Sequence, residues 1–173
     1  MMATESPESL FSRVIDRESL YDAGTYILGL EDSGLTESQQ DFKRCYDLWL
    51  GLGNGFYAVC NGTYLSSLPR GVAAFDRIGT TVIATPGRLV LAEFKRRDLP
   101  ITEEEISFFV PDDSELDRFH RAVQKIDEEY VDQIWDAADT IEQRLITLAS
   151  GRPQRTSTEQ AGGGQAATRA EST

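Results

Sequence analysis

Apolar residues recur at intervals of three and four along most of this chain, a spacing that predicts α-helices. Ser6 and Pro7 favour a helix start, because Ser can cap free amides and Pro has no N–H to lose there. We expect one or two short amphipathic helices from residue 6 up to "GLEDSG" at 29–34. Their apolar face would consist of Leu10, Phe11, Val14, Ile15, Leu20, Tyr21, Tyr26 and Ile27 or Leu28.

A capping box at residues 36–39, "TESQ", predicts the start of the next helix. Its apolar positions are Phe42, Cys45, Tyr46, Trp49 and Leu50. The helix runs into a glycine-rich stretch at 51–62, which contains neither GxxxxGK[ST] nor a GxGxxG that opens a helix after a strand. We therefore interpret these glycines as chain turns or close approaches between packed helices, and not as a phosphate loop.

Two further helices are expected between residues 68 and 95. Leu68-Pro69 begins the first, because proline suits the first turn of a helix. Residues 82–91, "VIATPGRLVL", are the best candidate for a strand because they are rich in β-branched side chains. Their apolar spacing nevertheless favours a helix over 81–95, with a kink or break at Pro86.

The C-terminal third contains the longest apolar periodicity. "TEEE" at 102–105 predicts a short capped helix, and the acids of "PDDSELD" at 111–117 favour a second helix start, where they complement the positive end of the helix dipole. One long helix, or two collinear helices, should then carry Leu116, Phe119, Val123, Ile126, Tyr130, Ile134, Ala137, Ile141, Leu145 and Leu148.

These elements predict an all-α fold: a compact single-domain bundle of about six to eight helices over residues 6–150. A chain of 173 residues with 40% hydrophobic content can bury one core. Residues 1–5 and the tail 151–173 show no apolar periodicity and are expected to be disordered. No segment resembles a signal peptide or a span of about 18 apolar residues, so we expect a cytoplasmic protein.

The formal net charge of −12 is concentrated in one part of the sequence. Residues 98–142 hold fifteen acidic and three basic residues, whereas the rest of the chain holds fourteen of each. Such a segment repels nucleic-acid phosphates and anionic lipid, and it attracts basic partners over about 8 Å in physiological salt. Neither direct nucleic-acid binding nor membrane binding is expected. Adaptation to high salt, the other interpretation, would spread acids over every surface.

Five of these acids share one side of the predicted long helix. On a wheel of 100° per residue they fall within about 120°, opposite the apolar residues, with about 6 Å between successive carboxylates along the axis. That spacing is on the scale of neighbouring phosphates on one DNA strand. We call them the carboxylate stripe: Glu128, Asp132, Asp136, Asp139 and Glu142.

Trp135 falls inside the stripe on the same wheel. Either another helix or a second subunit covers it, or it is an exposed anchor for a partner, since Trp is enriched at binding hot spots. The acidic turn just before the long helix would extend the surface. The candidate partner-binding residues are therefore Asp112, Asp113, Glu115, Glu128, Asp132, Trp135, Asp136, Asp139 and Glu142.

Residues that would support catalysis or metal binding are sparse. His120 is the single histidine, and its neighbours Asp117 and Arg121 indicate a solvated surface position. Di-iron bundles need two Glu-x-x-His units, and only Asp117 with His120 approximates one. Cys45 and Cys60 have no CxxC partner and no nearby histidine, so we interpret them as reduced, buried thiols. No catalytic residue, cofactor or metal is predicted.

Three segments together resemble a bacterial DNA-mimic protein family: "GNGFYAVCNGTY", "GVAAFDRIGTTVIATPGRLVLAEF" and "LDRFHRAVQKIDEEYVDQIWDAADTIEQRLITLA". The resemblance covers about residues 36–149, and residues 53–56, Gly-Asn-Gly-Phe, stand where the family has Asn-Gly-Gly-Phe. It implies an all-helical fold, a homodimer, and an acidic face that occupies the DNA site of a DNA-binding protein.

Three functional hypotheses follow from the sequence. The first is an acidic, non-enzymatic interaction protein, a DNA mimic whose stripe binds a basic, DNA-binding partner. The second is a helical scaffold or immunity-type protein whose acids serve only solubility. The third is a hydrolase built around His120 and carboxylates.

Overall fold

The computed structural model describes residues 7–101 and 113–151, and these residues form an all-α structure, as predicted. Three short 3₁₀ turns, Asp32–Gly34, Leu52–Asn54 and Leu65–Ser67, lie between helices. The α-helices of the described residues are α1 Pro7–Ser12, α2 Arg17–Leu28, α3 Glu37–Gly51, α4 Gly55–Cys60, α5 Leu68–Arg77, α6 Thr81–Arg96, α7 Asp113–Asp136 and α8 Ala138–Ser150.

Local sequence signals set several helix starts. In the capping box before α3, the Gln39 N–H donates to Thr36 Oγ1 (3.3 Å) and the Thr36 N–H donates to Gln39 Oε1 (2.9 Å). A second capping box, formed by Asp16 and Ser19, starts α2. Pro69 lies in the first turn of α5, where a missing N–H costs nothing. The predicted starts of α3 and α5 are confirmed.

Helix α6 continues through Pro86, so the predicted helix over 81–95 is confirmed. Of the predicted kink or break at this proline, the break is wrong, as is the strand alternative for 82–91. Pro86 and Gly87 are buried, and a Cβ at position 87 would lie 2.4 Å from Cγ2 of Val72. Close packing of α6 on α5 at this point therefore holds the helix together across the missing N–H.

The long apolar periodicity of the C-terminal part is divided between α7 and α8 by a turn at Ala137. Helix α7 packs against α4 and α6, whereas α8 packs against α1, α2 and α3. Phe94 of α6 and Phe119 of α7 are 4.5 Å apart between ring centroids. All these helices contribute to one hydrophobic core, in which α3 contacts α2, α4, α5 and α8.

Several predictions fall outside the described residues: disorder of residues 1–5, the capped helix at 102–105, and disorder of the tail beyond Gly151. Within residues 7–101 and 113–151, no helix is both long and apolar enough to cross a membrane.

Candidate interaction surface

Four acids of the predicted carboxylate stripe are exposed at the junction of α7 and α8. Glu128, Asp132 and Asp136 lie on α7, and Asp139 lies in the first turn of α8. Within the described part of the chain, none of them has a basic side chain within 4.0 Å. We refer to them below as the four exposed carboxylates, which are available to basic groups from another molecule.

Trp135 is partly covered by another helix and partly exposed, so it combines the two arrangements that its sequence position left open. Its side chain is 46% exposed, and its ring packs against that of Trp49 with 6.1 Å between centroids. Trp49 itself is only 7% exposed, so it provides a rigid base beneath the second indole. One part of Trp135 is therefore fixed by the core, while the rest faces solvent among the exposed carboxylates.

The expectation that Glu142 belongs to the exposed stripe is wrong. Glu142 is 5% exposed, its carboxylate lies 3.1 Å from a guanidinium nitrogen of Arg17, and the Tyr21 hydroxyl donates to it at 3.3 Å. Asp139, which also follows the turn at Ala137, is exposed as predicted, so the error concerns Glu142 alone among the acids of α8. Helix α8 packs against α2, which brings Glu142 to an internal ion pair.

We predict that Glu142→Gln lowers the free energy of unfolding by about 1 kcal/mol, because the variant keeps an acceptor for Tyr21 and loses the pair with the largely exposed Arg17. Urea denaturation measures this, with Asp139→Asn as an exposed control on the same helix that should change stability by less than about 0.5 kcal/mol. Equal losses in both variants would contradict a structural role for Glu142.

The predicted acidic turn before α7 is only partly described. Asp112 lies outside the described residues, and of Asp113 only its place as the first residue of α7 is described. Glu115 is half-buried and forms ion pairs with Arg97 (2.9 Å) and Arg118. These partners hold the pKa of the Glu115 carboxyl below its ordinary value, the hydrogen bond from Arg97 being the main cause. Its charge is thus neutralised within the molecule.

The exposed side of α7 is basic in its N-terminal half, which the sequence interpretation missed. Arg118, Arg121 and Lys125 are all exposed and precede Glu128 at intervals of three and four, so they lie on the same face of the helix. Their spacing of three and four carries this signal in the sequence, although the three cations are a minority within an acidic segment. Positive charge therefore adjoins the four exposed carboxylates.

A groove of about 790 Å³ runs between α6 and the basic half of α7. Its apolar lining includes Leu89, 42% exposed, together with Ala92, Ala122 and Ile126. Its charged lining consists of Glu93, Arg96, Arg97, Arg118, Arg121, Lys125 and Glu128. The groove thus offers an apolar floor with a mainly basic rim on a chain whose net charge is −12.

Asp127, another acid of the same segment, has an internal role. The backbone N–H groups of Phe56 and Tyr57 donate to its two carboxylate oxygens, both at 2.8 Å. Gly55 makes this possible: its φ is +80°, and a Cβ there would lie 2.8 Å from the carboxylate. Burial raises the pKa of Asp127 more than these two donors lower it. The interpretation of the glycines as sites of close approach is confirmed at this position.

His120 is half-buried and not the fully solvated residue that we expected. Its ring lies 5.3 Å from that of Tyr57 and 5.9 Å from that of Phe119. Burial lowers the pKa of His120, and nearby Asp117 acts in the opposite direction. Among the described residues, no group of three or more His, Cys, Asp or Glu side chains is arranged to hold a metal ion.

Cys45 and Cys60 are free and buried, as predicted. Burial strongly raises the pKa of both thiols, so they are present as unreactive thiols and not as thiolates.

The fold and its surface define an all-α bundle with an exposed face of ordered charge. No family description, curated protein or solved structure matches the chain. The resemblance to the DNA-mimic family therefore stays a prediction.

Proposed function

We propose that this protein is a non-enzymatic interaction protein whose four exposed carboxylates bind a basic protein at its DNA site, so that it acts as a DNA mimic. The observation that supports this most is that Glu128, Asp132, Asp136 and Asp139 are exposed and have no ion-pair partner within the described residues. Glu115 and Glu142 leave the predicted set, because both are paired inside the molecule.

The mechanism is electrostatic competition. Carboxylates four residues apart on one helix lie about 6 Å apart along its axis, on the scale of neighbouring phosphates, so they pair with Lys and Arg side chains that otherwise contact DNA. Charge complementarity accelerates association and makes the complex sensitive to salt. Trp135 adds a half-exposed aromatic surface that can insert against the partner beside these ion pairs.

The folded state tolerates the repulsion within this surface. Like charges four residues apart on a helix cost about 0.2–0.5 kcal/mol per pair, and Glu128–Asp132 and Asp132–Asp136 are such pairs. A typical domain is stable by about 5–15 kcal/mol, so a total of at most about 1 kcal/mol from these two pairs does not prevent folding. A helix that needed only solubility would mix in Lys or Arg at these positions.

The test is a pull-down with the full chain at low and high salt, comparing wild type with the variant Glu128→Gln, Asp132→Asn, Asp136→Asn and Asp139→Asn. We expect wild type to retain a basic, DNA-binding protein at low salt and to release it at high salt. The four-fold variant should retain it at least about a hundredfold less, because each phosphate-like contact contributes to the salt-dependent affinity.

A matched control removes four exposed acids elsewhere, through Glu8→Gln, Asp22→Asn, Glu31→Gln and Glu37→Gln, and it changes the net charge equally. This control should keep the partner. If the four-fold variant keeps every partner that wild type binds, the four exposed carboxylates serve only solubility, as in the scaffold or immunity-type alternative. A second readout is competition: the purified partner should lose DNA as wild-type protein is added.

A further inference from the structure

The groove between α6 and α7 carries cations on both sides of an apolar floor. On the α6 side, Arg96 pairs with Glu93 of its own helix, and its side chain is 63% exposed. On the α7 side, Arg121 and Lys125 are both exposed. Leu89 belongs to the floor and is 42% exposed. A molecule in this groove therefore meets apolar surface beneath it and positive charge along both edges.

Two of these cations are not neutralised by the described part of the chain. Lys125 has no carboxylate within 4.0 Å, and Arg121 donates only to the Asp117 carbonyl, at 3.1 Å. Arg118 differs, because it pairs with Glu115 and part of its charge is used inside the molecule. The charges available to another molecule are thus those of Arg121 and Lys125, which lie about 6 Å apart along α7.

We propose that this groove binds an acidic amphipathic helix of a partner protein. Apolar residues of that helix cover Leu89 and Ala122, and two of its acidic residues, four positions apart, pair with Arg121 and Lys125. A helix that lays its apolar face into a groove, with anchors at intervals of three and four, is a common mode of recognition. The lining extends over residues 118–128 of α7, or about 15 Å, so the contact spans about three turns of the partner helix.

The arrangement of charge favours a helix over other anionic molecules. Cations on both sides of an apolar floor complement a helix with an apolar face and acids on its flanks, whereas a fatty acid is charged at one end only. A nucleic acid presents phosphates without an apolar face, and the four exposed carboxylates beside the groove repel it. The small side chains of Ala92 and Ala122 allow a third helix to approach closely.

The net charge of −12 does not oppose an acidic helix at this place. Charges are screened over about 8 Å in physiological salt, so those nearest to the groove dominate. Its lining includes five basic and two acidic residues. Glu128, one of the two acids, lies at one end and excludes an acid of the partner helix there, which sets the register. Exposed ion pairs are individually weak, so the complex should be of moderate affinity and sensitive to salt.

This inference goes beyond the proposed function and does not rest on it. The partner here is acidic, and it is bound through Arg121, Lys125 and Leu89, none of which belongs to the four exposed carboxylates. Only Glu128 borders both surfaces, and in the groove it repels instead of binding.

The experiment is fluorescence anisotropy of a labelled synthetic helix, titrated with the full chain at low and at high salt. The probe is a peptide of about fourteen residues with leucine at heptad positions a and d, glutamate at e and g, and alanine elsewhere. Wild type should bind it at low salt and at least about tenfold more weakly at high salt. The same peptide with glutamine in place of glutamate should bind at least about tenfold more weakly at low salt.

Variants of the α7 side test the charges. Arg121→Glu with Lys125→Glu should weaken binding of the glutamate peptide at least about tenfold, because two attractive pairs become repulsive. Arg121→Gln with Lys125→Gln should act in the same direction without adding repulsion within α7. The matched control, Lys95→Glu with Arg70→Glu, reverses two exposed charges outside the groove, changes the net charge equally and should bind as wild type does. Circular dichroism establishes that each variant is folded.

Leu89→Gln tests the floor and should weaken binding at least about threefold, because an exposed leucine is no longer buried by the peptide. The proposal is overturned if wild type does not bind the glutamate peptide at low salt, if the glutamine peptide binds equally well, or if both Arg121 and Lys125 variants bind as the control does. Cosedimentation with phosphatidylglycerol vesicles, in the absence of peptide binding, would overturn it in favour of an anionic lipid surface.

The two proposals fail separately. The four-fold carboxylate variant should lose the basic partner and bind the glutamate peptide at least as tightly as wild type does. Arg121→Glu with Lys125→Glu should keep the basic partner in the pull-down and lose the peptide.

Discussion

Asp127→Ala should lower the free energy of unfolding by about 2–4 kcal/mol. The side chain is the acceptor for the N–H groups of Phe56 and Tyr57, both at 2.8 Å, and no helical carbonyl is available to these first-turn donors of α4. Hydrogen bonds to a charged acceptor are worth about 1.5–3 kcal/mol each, and unpaired buried donors add a desolvation cost. Because Asp127 is on α7, the variant also loosens the packing of α4 on α7. Urea denaturation measures the loss.

The control for this prediction is Glu128→Ala, which removes the neighbouring exposed acid and should change stability by less than about 0.5 kcal/mol. Comparable losses in the two variants would contradict the assigned role of Asp127. Asp127→Asn should lose less than Asp127→Ala, because an amide oxygen still accepts one of the two N–H groups.

The raised pKa of Asp127 adds a pH dependence with a definite sign. The folded state holds the proton of this carboxyl more tightly than the unfolded state, whose ordinary pKa is about 3.9. The stabilisation linked to this proton is therefore complete below about pH 3.9 and is lost as pH rises through the folded-state pKa. Relative to Asp127→Asn, wild type should become less stable as pH rises through that window.

Local signals allowed much of the fold to be predicted from the sequence. The capping box at residues 36–39 and the Leu68-Pro69 start depend only on neighbouring residues, so both were predictable without tertiary information. The continuity of α6 through Pro86 was not predictable in this way. It depends on packing of Gly87 against Val72, a residue from another helix.

The candidate surface was predictable from the helical period, except where a third helix covers a predicted position. Within α7 the 100° period holds, and Glu128, Asp132 and Asp136 are exposed as expected. Beyond the turn at Ala137 the same period still predicts that Asp139 is exposed and that Ile141 and Leu145 are buried, but Glu142 is buried because α8 also packs against α2. Asp127 illustrates a second limit, because a carboxylate that accepts backbone N–H groups from a distant segment has no signature in its own neighbourhood.

The distribution of charge along α7 changes how the net charge of −12 should be understood. The acids are not a uniform coat, since Asp127, Glu115 and Glu142 all serve internal contacts. The exposed residues of α7 include Arg118, Arg121 and Lys125 alongside Asp117 in its N-terminal half, and acids beside Trp135 in its C-terminal half. Such a surface can discriminate between partners by register as well as by sign of charge.

Gly24→Ala should lower the free energy of unfolding by about 2 kcal/mol, although alanine is the better helix former. A Cβ at this position would lie 2.2 Å from Cζ of Tyr46. The ring cannot move aside easily, because Tyr46 is 1% exposed, packs between Phe42 and Tyr21, and donates its hydroxyl to the Tyr21 carbonyl at 3.3 Å. Overpacking of about 1–3 kcal/mol or more exceeds the gain of about 0.5–1 kcal/mol from replacing a helical glycine.

A double-mutant cycle with Tyr46→Leu tests this cause directly. The smaller side chain makes room for the Cβ, so Gly24→Ala should cost clearly less in the Tyr46→Leu background than in wild type, with a coupling of at least about 1 kcal/mol. Asp22→Ala, an exposed position on the same helix, is the control for helix propensity and should be neutral or slightly stabilising. A stabilising effect of Gly24→Ala in wild type would show that α2 and α3 do not approach as closely as described.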